Sequence, residues 1–269
     1  MGKWTRQHEQ HRRKILGMLA ERTPTFAEQE READESRREL PFLLSGDGSD
    51  PDWCRTYLPH YFKKDFAPFH RRMVDAAGEE GMPTFVGAFR GAGKSALLSL
   101  ARPLRRALEG RCAYFVYGSR TRSLAAQHMD YVRLELEHNR RILADYGEVT
   151  IDGGQGEWTM SLPDGTAAKF EAFGIGMSPR GRRFGQHRPG EFVGDDLEDS
   201  ELARSAPREQ KLWDWLMDAV MPALKPERFV FTVLGTMFGP GCMLERAREL
   251  AERKDDQGRP LGRLFMQKV

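Results

Sequence analysis

Apolar residues fall in short blocks divided by polar, glycine-broken stretches, and the spacing of the blocks changes along the chain. The run Thr84-Phe85-Val86-Gly87-Ala88 has strand length, and Ala96-Leu97-Leu98 opens a helix over about 94–108. Residues 111–117 predict a second buried strand, and a long helix follows over about 123–145. Strand, helix, strand, helix in this order predicts an α/β fold whose sheet is mostly parallel, with right-handed crossovers and helices on its faces. The period then changes. Two strand-like runs within 158–173 flank Pro163-Asp164-Gly165, which predicts a hairpin. Apolar runs over 191–194 and 229–234 predict two further strands.

Upstream, a helix is expected over 68–77, packed just ahead of the first strand. Aromatic and basic residues interleave from Trp53 to Gly78, and aromatics at helical spacing read first as core. An adenine contact from Phe66 or His70 is the sharper reading. Residues 1–43 mix Arg, Lys, Glu and Gln with few apolar anchors, which predicts a charged helical segment, either a solvated face or a partner-binding arm. The turn-rich stretch 44–51 makes the boundary, so the chain divides into an arm over 1–50 and a folded domain over 51–269.

Composition narrows the function classes. With 42 basic and 40 acidic residues, the formal net charge is +2, so any nucleic-acid contact has to come from a local patch. The three cysteines form no CxxC pair and suit a reducing compartment, with Cys112 a small core residue. The seven histidines show no metal-ligand spacing. No apolar run is long enough for a membrane span and no secretory h-region is present, which predicts a soluble cytoplasmic protein.

The chemistry centres on Ala88-Phe89-Arg90-Gly91-Ala92-Gly93-Lys94-Ser95, which matches the phosphate-loop pattern between a strand and a helix. Gly91 and Gly93 let backbone N–H groups turn toward an anion, and the new helix adds its positive end. Lys94 is then expected on the β- and γ-phosphates and the Ser95 hydroxyl on Mg²⁺. Arg90, inside the loop, is a candidate arginine finger in cis. The strand over 191–194 runs into Asp195-Asp196-Leu197-Glu198-Asp199. Asp195 is placed to hold the Mg²⁺ hydration shell, and Asp196 is the first choice for polarising the attacking water, with Glu198 the second candidate. An acidic helix cap is the plain alternative. Thr236, after the strand over 229–234, is either a candidate sensor of the γ-phosphate or ordinary turn chemistry after Gly235. The loop over 174–189 carries Arg180, Arg182 and Arg183, which either grip phosphates or are solvated.

Taken together, the loop with its internal Arg90, Arg180-Gly181 ahead of His187-Arg188-Pro189, the Asp195-Asp196-Leu197-Glu198 box and Gly235-Thr236 resemble the ATPase half of a large terminase subunit. This family comprises the genome-packaging motors of tailed bacteriophages. The resemblance spans about 53–250 and implies a RecA-like P-loop ATPase of the additional-strand class. It implies ATP and Mg²⁺, double-stranded viral DNA, a portal protein and a small terminase subunit as partners. It also implies a homo-oligomeric ring on the procapsid, monomeric in isolation, working in the host cytoplasm and transiently at the portal. The family's catalytic position is usually Glu, whereas Asp196 stands here. Its carboxyl-terminal nuclease is expected to be missing from a chain that stops at Val269. The competing readings are another RecA-like translocase or helicase, a nucleotide-gated assembly module without turnover, and a metal-dependent nuclease built on Asp195, Asp196 and Glu198.

Overall fold

The computed structural model describes residues 50–78, 80–199, 201–236 and 242–267, together with Gln10, Arg13, Leu16 and Gly17, which are helical. The rest of the proposed arm lies outside the described residues.

Two helices, α1 (Asp50–Tyr57) and α2 (Pro68–Ala77), lead into β1 (Pro83–Ala88). After the glycine loop comes a π-helical segment, Ser95–Ala101, that continues as α3 (Arg102–Leu108). Then follow β2 (Tyr114–Ser119), α4 (Arg122–His138), α5 (Arg140–Tyr146), β3 (Thr150–Gly154), β4 (Glu157–Ser161), β5 (Ala167–Gly174) and β6 (Glu191–Gly194). The chain finishes with α6 (Ala206–Asp214), β7 (Val230–Gly235), α7 (Met243–Glu252) and β8 (Arg263–Gln267). Among the described residues, eight strands join one sheet in the order β3-β4-β5-β2-β6-β7-β1-β8. From β5 to β8 every pairing is parallel, while β3 with β4 and β4 with β5 are antiparallel.

The strand sequences account for this layout. Every residue of β1, β2 and β6 is buried, as expected of parallel strands covered on both faces. Side chains alternate between two cores. Val86, Phe115, Tyr117, Val193 and Leu234 pack on one side with Trp53, Leu97, Met129 and Trp158. Phe85, Val116, Phe192, Phe231 and Val233 pack on the other with Leu216, Met243 and Leu244. The hairpin arm is tied down by a stack of rings, Trp158 on Phe170 at 4.1 Å and Phe170 on Phe115 at 4.7 Å.

Several expectations hold to the residue: the helix over 68–77, the strand over 191–194 and the hairpin about Pro163-Asp164-Gly165. Cys112 is buried, and burial pushes its thiol up to about 12. Two readings need correction. The helix expected over 123–145 is two helices, because Asn139 takes an extended conformation and caps the second, its side chain accepting from the Ile142 N–H at 3.3 Å. The strand expected from Arg111 begins at Tyr114. Strands β3 and β8 were not anticipated; both lie at sheet edges, where β3 is largely exposed and so shows no apolar run. Among the described residues, no helix is long and apolar enough to cross a membrane.

Candidate active site

Since β1, β6, β7 and β2 are parallel neighbours, their carboxyl ends share one sheet edge, where ligands of open α/β sheets usually bind. A cleft of about 410 Å³ opens there, lined by Arg90, Gly91, Lys94 and Ser95 on one side. Asp195, Asp196, Glu198 and Asp199 line another side, with Arg120 and the β7 end at Gly235 and Thr236 completing it. The glycine loop and the acidic strand end, a hundred residues apart in sequence, therefore face the same space. One strand, β7, lies between β1 and β6.

The loop's backbone depends on its glycines. Gly91 and Gly93 have φ of 83° and 74°, a region that L side chains avoid. Lys94 is half-buried and folds back on its own loop, donating from Nζ to the Ala88 carbonyl at 2.6 Å and the Phe89 carbonyl at 3.3 Å. Burial lowers its ammonium below the usual lysine range, against the pull of Asp195 and Asp196; Arg90 adds a small push in the same direction as burial. Ser95 and Arg90 are exposed toward solvent.

Across the cleft, Asp195 is buried and held from two sides. The Ser99 hydroxyl, on the helix four residues beyond Ser95, donates to its Oδ2 at 2.7 Å, and the Asp196 N–H donates to Oδ1 at 3.1 Å. Asp196 has a φ of 50°, and its side chain is 70% exposed. His128 of α4 sits between the two acids, 3.9 Å from each carboxylate. Glu198 differs from both. Its Oε1 accepts the Met243 N–H at 3.2 Å, the first residue of α7, while Oε2 is buried without a hydrogen-bond partner. Burial, reinforced by Glu209 and Asp199 and opposed by the Met243 bond, pushes its carboxyl up to about 7.

Of the sequence-predicted residues, Arg90, Gly91, Lys94, Ser95, Asp195, Asp196, Glu198 and Thr236 share this cleft. Ala88 ends β1, and Ala92, within the loop, is buried. Arg180, Arg182 and Arg183 do not line it. The Arg180 guanidinium donates to the Asp218 carbonyl, and Arg182 pairs with buried Glu171 at 3.2 Å. Arg183 is exposed. Phe66 and His70 belong to a half-buried aromatic group with Phe69, which contacts Phe89 of the glycine loop at 5.8 Å.

Sequence reasoning missed Ser99, His128 and Arg120. Only Arg120 carried a usable signal, as a cation directly after a buried parallel strand. No protein-family model matches this chain, and no curated protein is similar to it.

The oxygen donors that line the cleft, the Ser95 hydroxyl and the carboxylates of Asp195, Asp196, Glu198 and Asp199, suit a hard cation, although among the described residues no three His, Cys, Asp or Glu side chains form a metal-holding group. Mg²⁺ is commonly held by one or two protein oxygens, with waters and phosphates supplying the rest.

Proposed function

We propose that this chain is an ATP-hydrolysing motor domain of the large-terminase kind, which drives double-stranded viral DNA into a procapsid. The observation that carries the reading is the meeting of the glycine loop and the acidic end of β6 in one cleft, with β7 between their strands. An interposed strand is what the additional-strand RecA-like class has. Portal protein, small terminase subunit and a ring of like subunits follow from the resemblance.

In this reading Lys94 leaves the Ala88 and Phe89 carbonyls and turns to the β- and γ-phosphates, for which those carbonyls stand in. Ser95 and Asp195 would hold Mg²⁺, whose charge neutralises the phosphate oxygens. Arg90 stabilises charge spreading over the γ-phosphate during transfer. Asp196, open to the cleft, orients the attacking water and accepts its proton. Glu198 ties the acidic box to α7, and Thr236 marks the end of β7, so two groups near the γ-phosphate lead into the segment around α7. Loss of the phosphate would be passed on there as a shift of DNA-gripping elements.

Phosphate release in the presence of Mg²⁺, with and without duplex DNA, tests the reading. Turnover stimulated by duplex and abolished in both Lys94→Ala and Asp196→Asn is the expected result. Phosphate release unchanged in those variants would refute it.

A further inference from the structure

Two of the three cations that line the cleft, Arg90, Lys94 and Arg120, are already engaged. Lys94 is occupied by two loop carbonyls, and Arg120, one residue beyond the end of β2, is occupied by Asp199. Arg120 and Asp199 are each about 40% exposed, and both line the same cleft as Lys94 and Ser95. The two ends of this ion pair are held differently. Asp199 is fixed by backbone: its Oδ1 accepts from the Leu202 N–H at 2.8 Å and the Glu201 N–H at 3.1 Å. The Leu202 N–H, with help from Arg120, holds its carboxyl below the usual carboxylate range. Arg120 sits on a long side chain at a strand end and can swing without disturbing the backbone.

Resting on the nucleotide reading above, we propose that Arg120 is a further phosphate-contacting residue of this cleft. Asp199 is then an internal stand-in anion that the terminal phosphate of a nucleoside triphosphate displaces. The exchange is chemically favourable in direction. A terminal phosphate offers a guanidinium more charge and more acceptor oxygens than one carboxylate, and arginine bonds phosphate in a bidentate fork. Diphosphate leaves that position empty, so Arg120 returns to Asp199. The pair thereby reads which nucleotide is present. Asp199 also caps the turn Leu202–Arg204 ahead of α6, and Glu201 pairs with Arg208 of α6 at 2.9 Å, so the released carboxylate sits at the root of that helix. A surface ion pair with no such role would contribute little to anything.

The test is nucleotide affinity, measured by fluorescence titration of the full chain with labelled ATP and ADP in Mg²⁺, with melting temperature as a check on folding. Arg120→Gln is expected to weaken ATP about tenfold, or about 1.4 kcal/mol, and to change ADP less than about twofold. Arg120→Lys should fall between wild type and Arg120→Gln. Asp199→Asn keeps an oxygen for the turn but removes the competing charge, so it should tighten ATP several-fold and leave ADP unchanged. The opposite signs of the two variants distinguish exchange from general damage. An ATP-to-ADP affinity ratio unaltered in Arg120→Gln, or an Asp199→Asn variant no tighter for ATP, overturns the proposal. Lys94→Ala separates the two levels. If wild type binds and Lys94→Ala does not, a null result at Arg120 sinks this inference alone; if wild type binds no nucleotide, both readings fall.

Discussion

Glu198 offers a prediction whose size follows from the geometry of the site. Its carboxyl, pushed from an ordinary 4.5 up to about 7, takes up a proton on folding between those values, because the unfolded chain ionises first. Stability is therefore highest below about pH 4.5 as far as this group is concerned, falls as pH rises toward about 7, and stays lower above it. At 1.36 kcal/mol per pKa unit the full shift corresponds to about 3 kcal/mol, and water in the open cleft screens this to roughly 2 kcal/mol. Glu198→Gln keeps an oxygen to accept the Met243 N–H but cannot ionise. The difference in unfolding free energy between variant and wild type should thus change by roughly 2 kcal/mol in favour of the variant between pH 5 and pH 8. Above that it should be flat. Guanidinium unfolding followed by tryptophan fluorescence, repeated across pH, measures it; the chain's five tryptophans include Trp53 and Trp158, buried on one face of the sheet. Any constant offset from an unpaired amide cancels in the slope. A difference that does not vary with pH would mean that Glu198 is ionised in the folded protein, and the argument from burial would be wrong.

Arg90→Ala should lower kcat about 10²-fold while leaving KM within about threefold, since its interaction strengthens only as charge develops; steady-state kinetics showing equal loss in both would remove the finger role. Gly93→Ala forces a side chain onto a φ of 74°, at about 1–2 kcal/mol, so nucleotide affinity should drop about tenfold while the melting temperature moves by only a few degrees. Removing Arg180, Arg182 and Arg183 together should reduce the slope of log affinity for duplex DNA against log salt by about 0.9 for each DNA phosphate that is no longer neutralised. Because Arg182 already pairs with Glu171, single replacement of exposed Arg183 should account for a larger share of that change than Arg182→Ala, which salt titrations of the two would show.

Much of this molecule is legible in local pattern. Apolar runs of strand length announced β1, β6 and β7, Pro163-Asp164-Gly165 announced the hairpin, and the loop from Ala88 to Ser95 announced its own turn, because periodicity and glycine conformation act over a few residues. Where local chemistry competed, the pattern misled: Asn139 broke a helix that its neighbours alone would have continued. That the acidic box faces the glycine loop was an expectation from motif order, and it needed the strand order to become a geometry. What only the tertiary structure decided is how the charges are partnered. Arg120 meets Asp199 across 79 residues, Ser99 reaches Asp195 across 96, and Glu198 is buried against the start of α7 while Asp196, two residues away, stands in solvent. Residue type says which charges are available, but burial and partner depend on which strands lie side by side, and no periodicity in a single chain encodes that.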